Sequence, residues 1–185
     1  MKIIKSFFTK KVLLIKPETH YDNRGEFSEI YNEYKFNKIG IKKKFVQDNY
    51  SLSKYKYTFR GLHIQTKPFS QAKLIRVNKG KIIDYVVDLR KNSKTYGNHI
   101  KIYLSENVNE LIYISEGFGH AFLTLKNNTI VTYKVSNKYS PKHSITINYR
   151  DKALNLDFKN FNRNKFILSK NDKLGITIKE FNKRK

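Results

Sequence analysis

The stretch RGLHIQTKPFSQAKLIRV, from Arg60 to Val77, sets one of five histidines directly after Arg-Gly-Leu and places Lys73 ten residues further on. Histidine has an ordinary pKa of about 6.5 and so takes and gives protons near neutrality. Other chemistries are missing from the chain. There is no cysteine, which excludes disulfides, thiol catalysis and Cys-ligated zinc. There is no Gly-rich phosphate loop, HExxH, GxSxG or EF-hand pattern. What remains is a dispersed set of polar side chains: Arg24 and Glu29, Gln47 and Asn49, Arg60 and His63, Lys73, His120, Tyr133 and Tyr139. Each alone has an ordinary reading. A histidine after a turn is commonly structural, and a tyrosine on a strand is by default a core or edge aromatic. Their meaning depends on what brings them together.

The elements that could do so are strands. KVLLIK, EFSEIY, FVQDNYSLS, AKLIRVNKG, KIIDYVVDL, HIKIYL, ELIYI, TIVTYKV and SITINY alternate with period two and are rich in β-branched and aromatic residues. Turn signals separate them at Asp22-Asn23-Arg24-Gly25, Asn78-Lys79-Gly80 and Lys126-Asn127-Asn128, and the second predicts a β-hairpin. Only Asn32 to Gly40 looks helical, with Gly40 past its end. No repeat of 20 to 50 residues is present. Many short strands and little helix predict an all-β sandwich or barrel whose mouth can hold a small ligand. On FVQDNYSLS one face carries Gln47, Asn49 and Ser51; on AKLIRV, Lys73 shares a face with Ile75. Polar faces on strands that should bury something mark functional sites. The last 30 residues or so are weakly patterned and are expected to wrap the outside.

At 185 residues the chain is expected to form one domain, 1–185, with a substantial core. The formal charge of +23 is spread along the whole sequence, with no clustered arm or stripe. It is therefore read as solvated lysine faces that also favour an anionic small substrate, not as a nucleic-acid footprint. KEFNKRK is expected to be a frayed basic end. MKIIKSFFTKKVLLIK mixes lysines into its apolar residues and does not read as a signal peptide, and no run reaches the roughly 18 apolar residues of a membrane span. A cytoplasmic protein with no membrane partner is expected.

Seven segments, in order, carry a resemblance: DNRGEFSEIYN, FVQDNYSLS, RGLHIQTKPFSQAKLIRVNKG, DYVVDLRKNSKTYG, SENVNELIYISEGFGHAFL, TYKVSNKYSP and LSKND. Together they resemble the dTDP-4-dehydrorhamnose 3,5-epimerases, cupin-like enzymes of sugar-nucleotide metabolism, over nearly the whole chain. The resemblance implies a cupin-type jelly roll with a few short peripheral helices. It implies cofactor-independent isomerisation of dTDP-4-dehydro-6-deoxy-D-glucose to dTDP-4-dehydro-L-rhamnose, a step in dTDP-L-rhamnose and surface polysaccharide biosynthesis. In a 4-keto sugar the C3 and C5 protons flank a carbonyl. Removing one gives an enolate, and returning a proton to the other face inverts the centre. That needs a base, an acid on the opposite face and a cation or donor at the C4 oxygen. By resemblance the catalytic groups are His63 as base, Asp172 as its carboxylate partner, Lys73 at the enolate oxygen and Tyr133 as acid. By the same carry-over Arg24 and Arg60 hold the diphosphate, while Phe27, Glu29, Gln47, Asn49 and His120 surround nucleotide and sugar. Tyr139 stacks on thymine. The segment with Arg24, Phe27 and Glu29 would complete the neighbouring subunit's site, which implies a homodimer.

The sequence departs from the family pattern in places. Ser144 stands at a usually acidic position, with His143 beside it; Ser115 and Ala121 alter the PEGFAHGF-type stretch, and Tyr149 replaces a common tryptophan. The Ser144 change leaves room for a related single-centre (C3 or C5) epimerase acting on another nucleotide 4-keto sugar. A metal-dependent cupin using His63 and His120 would need a second histidine where Gln65 stands, so no metal is expected. A non-catalytic sugar- or nucleic-acid-binding module would have no need of His63 and Tyr133 together.

Overall fold

A computed structural model describes residues 1–184 and contains thirteen strands with a few short helices among them. The strands are β1 (Lys2–Phe7), β2 (Val12–Lys16), β3 (Thr19–Asp22), β4 (Gly25–Ser28), β5 (Gln47–Ser53), β6 (Phe59–Gln65) and β7 (Lys73–Lys79). They continue with β8 (Lys81–Asp88), β9 (His99–Ser105), β10 (Leu111–Ile114), β11 (Phe118–Thr124), β12 (Thr129–Val135) and β13 (Ser144–Thr146). One sheet has the order β1-β2-β10-β7-β12-β5, the other β13-β6-β11-β8-β9, and β3-β4 form a separate ribbon. All the paired strands run antiparallel. The all-β, jelly-roll expectation agrees with this arrangement.

Apolar side chains form three layers. Ile75, Val77, Val86, Ile112, Phe122 and Val131 fill the space between the two sheets. On the outer face of the six-stranded sheet, Leu13, Ile15, Leu74 and Leu111 are covered by Phe36 and Ile41. Phe36 comes from helix α1 (Glu33–Lys38), whose Asn32 side chain caps the Lys35 amide and which gives way to Gly40 at φ +90. The helix predicted from Asn32 to Gly40 is therefore present, and its glycine supplies the left-handed residue that ends it. On the outer face of the five-stranded sheet, Phe59, Tyr85 and Leu123 meet Phe158, Phe166 and Tyr149 from the C-terminal segment. Burying each such ring contributes roughly 1.5–3 kcal/mol. The weakly patterned tail does wrap the outside, and it covers the Phe59, Tyr85 and Leu123 side of the five-stranded sheet.

Four local expectations change. Asn78-Lys79-Gly80 does not make a hairpin: Lys79 pairs with Ile130 in one sheet and Lys81 with Ser105 in the other. The chain turns a corner between sheets there. A Cβ on Gly80, at φ +88, would lie 2.5 Å from Thr129 Oγ1. Arg60-Gly61-Leu62 is not a turn but lies inside β6. EFSEIY is extended only to Ser28. The KEFNKRK tail is no frayed end: α3 (Ile178–Lys183) starts with a Thr177–Glu180 capping box and buries Phe181, while Lys185 lies outside the described residues.

Candidate active site

A cavity of about 500 Å³ opens between the two sheets. Its walls begin with the polar face read from the sequence, Gln47, Asn49 and Ser51 on β5. Next to β5, Tyr133 on β12 pairs with Asn49, and Tyr133 is flanked on β7 by Ile75, two residues from Lys73. These groups belong to the six-stranded sheet. From the other sheet come Arg60, His63 and Gln65 on β6, His120 on β11, and Ser144 and Thr146 on β13.

Strict alternation would not put Arg60 and His63 on one face, because they are three residues apart. The register explains it: His63 opposes His120 and Arg60 opposes Phe122, so three steps on β6 match two on β11. This is a β-bulge, which adds a residue and re-aims the side chains beside it. Gly61 absorbs it at φ +130, where a Cβ would sit 2.4 Å from Ala121 Cβ and 2.7 Å from backbone atoms of Ala121 and His120. The glycine in Arg-Gly-Leu-His is thus what lets a guanidinium and an imidazole face the same cavity.

Two histidine–carboxylate pairs result. His63 Nε2 lies 2.6 Å from Asp172 Oδ1. Asp172 is carried by α2 (Lys170–Lys173), a single turn capped by Ser169, whose hydroxyl accepts from the Asp172 amide at 3.1 Å. The imidazole is 41% exposed toward the cavity while the carboxylate is only 4% exposed. With Nε2–H donated to Asp172, the lone pair of the neutral ring sits on Nδ1. Behind it, His120 Nε2 lies 2.7 Å from Asp84 Oδ2 on β8. Burial holds the His120 imidazole below its ordinary pKa, against the pull of the Asp84 carboxylate, so this ring favours its neutral form. The other Asp84 oxygen is buried with no hydrogen-bond partner among the described residues.

Desolvation pulls Lys73 down to about 8, with the Asp84 carboxylate acting in the opposite direction. Tyr133 is pushed up from its ordinary value by desolvation, with the Arg60 guanidinium opposing, so its phenol keeps its proton at neutral pH. Arg60 is anchored through Ser53 Oγ and the Leu52 carbonyl, each at 3.1 Å. Gln47 donates to Asn49 Oδ1 at 2.8 Å and accepts from the Tyr139 amide at 3.3 Å. The whole set can bind an anionic, hydroxyl-rich molecule, remove a proton from one side of it and supply one from the other.

Of the twelve residues given catalytic or binding roles from the sequence, nine line this cavity: Gln47, Asn49, Arg60, His63, Lys73, His120, Tyr133, Tyr139 and Asp172. Arg24, Phe27 and Glu29 do not. Arg24 pairs with Asp22 at 2.6 Å at the tip of the β3–β4 ribbon, and Glu29 pairs with Lys35 at 2.9 Å. Phe27 is 70% exposed. Sequence reasoning missed Asp84, although a lone acid inside the apolar run KIIDYVVDL was a signal for it. Gln65, which in the sequence signals only a missing metal ligand, also lines the cavity. Among the described residues no three or more His, Cys, Asp or Glu side chains converge as a metal cage.

A family model described as dTDP-4-dehydrorhamnose 3,5-epimerase matches residues 8–180. The chain belongs to that family. A dTDP-4-dehydrorhamnose 3,5-epimerase of Methanothermobacter thermautotrophicus is 43% identical over 147 residues, covering 79% of this chain and 78% of the relative. Among solved structures, the Bacillus anthracis epimerase with TDP and PPi bound superposes with a TM-score of 0.90 at 38% identity, covering 95% of this chain and 98% of that one. The Legionella pneumophila dTDP-6-deoxy-D-glucose-3,5-epimerase, in complex with dTDP-4-keto-L-rhamnose, gives 0.89 at 31% identity, covering 96% and 93%. The 3,5-epimerases are isomerases, and this chain shares their strand-rich fold over nearly its full length.

Proposed function

We propose that this protein epimerises dTDP-4-dehydro-6-deoxy-D-glucose at C3 and C5 to dTDP-4-dehydro-L-rhamnose. The observation that carries the reading is the pairing across the cavity. An imidazole–carboxylate base on the five-stranded sheet faces a protonated phenol and a lysine on the six-stranded sheet. His63 Nδ1 takes the proton from the carbon next to the C4 ketone, and the electron pair passes to the C4 oxygen as an enolate. Lys73 offsets the charge there, and Asp172 stabilises the imidazolium. Tyr133 delivers a proton to the opposite face and the carbonyl re-forms, with solvent restoring both groups. Repetition at the second carbon completes the reaction. Donors aimed at a developing oxyanion are typically worth roughly 100- to 1000-fold in rate each.

Arg60 suits the diphosphate, because a forked guanidinium matches phosphate oxygens. Gln47, Asn49 and His120 suit the sugar, and Tyr139, exposed at the rim, suits the thymine face. The protein is read as a homodimer in which the ribbon bearing Arg24, Phe27 and Glu29 reaches the partner's cavity. The exposure of Phe27 and the absence of these three residues from the lining of their own chain's cavity support that. A cytoplasmic location goes with a nucleotide-sugar substrate; no described helix is long and apolar enough to cross a membrane. The test is the product: proton NMR of the substrate after incubation should show the couplings of the doubly inverted ring. Unchanged substrate, with folded protein, would sink the reading.

A further inference from the structure

Gln65 ends β6 two residues after His63, and its amide ties two loops together. The side chain is 6% exposed. Its Nε2 donates to the Phe69 carbonyl and, at 3.0 Å, to the Lys138 carbonyl, while its Oε1 accepts from the Ser140 amide at 2.9 Å. The groups bound at 138 and 140 stand on either side of Tyr139. Tyr139 is 59% exposed, so packing does little to fix its ring, and its backbone must be held instead. The second loop that Gln65 grips, through Phe69, is itself tied to this one: Gln71 Nε2 donates to the Asn137 carbonyl at 2.8 Å.

We propose that Gln65 is a positioning residue for nucleotide recognition: its amide clamps the backbone around Tyr139 and so holds that ring at the cavity rim for stacking on the base. The clamp acts on affinity for the nucleotide half of the substrate and not on proton transfer. This rests on the reading of Tyr139 as the thymine-stacking ring.

The chain contains no tryptophan, so Tyr139→Trp places a single reporter at the rim. In that background dTDP should quench the fluorescence, and Gln65→Met, which keeps length and loses all three bonds, should lower the anisotropy of the reporter. In the otherwise native protein, Gln65→Met should weaken dTDP binding by calorimetry about tenfold and raise KM similarly, with kcat at saturation within about twofold. On top of Tyr139→Ala the same change should cost less than about twofold, because the two residues act through one contact. Gln65→Glu is the second variant. It keeps the shape while turning a carboxylate toward two carbonyl oxygens, and it should weaken dTDP at least as much. Unaltered dTDP affinity in both variants, or an equal loss with and without the Tyr139 ring, overturns the proposal. Failure of the wild-type protein to bind dTDP overturns the nucleotide reading itself, and the two failures are told apart by the wild-type titration.

Discussion

Asp172→Asn isolates the charge of the carboxylate behind His63. The amide has the same shape, can still accept from Nε2–H, and leaves the Ser169 cap on α2 intact, so the fold should survive. What is lost is a negative charge 2.6 Å from the ring nitrogen and almost wholly buried. For charge centres about 4 Å apart at an effective dielectric near 20, that interaction is about 4 kcal/mol. Because the imidazole is half open to the cavity, solvent screening should bring the effect to about 2–4 kcal/mol. The imidazolium exists only after proton removal, so this is stabilisation of the transition state and not of the bound ketone. The expected loss in kcat is therefore about 30- to 1000-fold, with KM nearly unchanged. Exchange of the C3 and C5 protons into heavy water, followed by NMR at saturating substrate, gives the rate directly. A folded variant exchanging within about threefold of wild type would refute the role given to Asp172, and with it the reason for a buried acid at the end of an external segment.

Lys73 gives two further predictions. Since desolvation holds it at about 8, the cation is lost as pH rises past that value, and kcat/KM of the free enzyme should fall about tenfold per pH unit above it; a rate flat to pH 10 would contradict this. Lys73→Met should lower turnover roughly 100- to 1000-fold yet raise the melting temperature at pH 7, because the folded wild type carries a charge it has desolvated. The unfolded chain binds more protons between about pH 8 and 10.5, so wild-type stability rises across that window and the gap to the variant should narrow. A lower melting temperature for the variant at pH 7 would argue against the desolvation. Gly61→Ala should cost roughly 3 kcal/mol or more by urea unfolding, from overpacking plus a positive φ. Adding Ala121→Gly should rescue little, because backbone atoms remain 2.7 Å from the new Cβ; full rescue would mean the obstruction is the Ala121 methyl alone.

Strands such as β5 and β7 were readable by alternation because one of their faces meets water or the cavity, whereas the almost wholly buried β8 and β10 were readable from their β-branched and aromatic runs. Gln47, Asn49 and Ser51 stood out for this reason, as did Lys73 beside Ile75. β6 and β11, which carry His63 and His120, were not read as strands. Every residue of β11 is buried, so no period of two survives, and its Gly119 and Ala121 leave no β-branched run in its place; in β6 the bulge at Gly61 breaks the alternation. The corner at Gly80 looked like a hairpin because a local turn signal does not say whether the strands on either side share a sheet. Asp172 meets His63 from 109 residues away on a one-turn helix with no periodic signature; only the matched LSKND segment pointed to it. Asp84 was visible as a lone acid in an apolar strand, but what it faces depends on the register of β8 against β11. Gln65 was hidden for a different reason: it serves loops, and loop partners leave no pattern.

The reaction assigned to this cavity is proton exchange at two carbons with delivery from the side opposite the base. Its most direct test is mass spectrometry, with NMR for ring configuration, of dTDP-4-dehydro-6-deoxy-D-glucose incubated in heavy water with wild type and with Tyr133→Phe. Wild type should take up two deuterons, at C3 and C5, with both centres inverted. Tyr133→Phe should still exchange protons through His63 while yielding little inverted product. One deuteron in wild type would make the protein a single-centre epimerase. No uptake above the enzyme-free control, or inverted product from Tyr133→Phe at the wild-type rate, would contradict this chemistry.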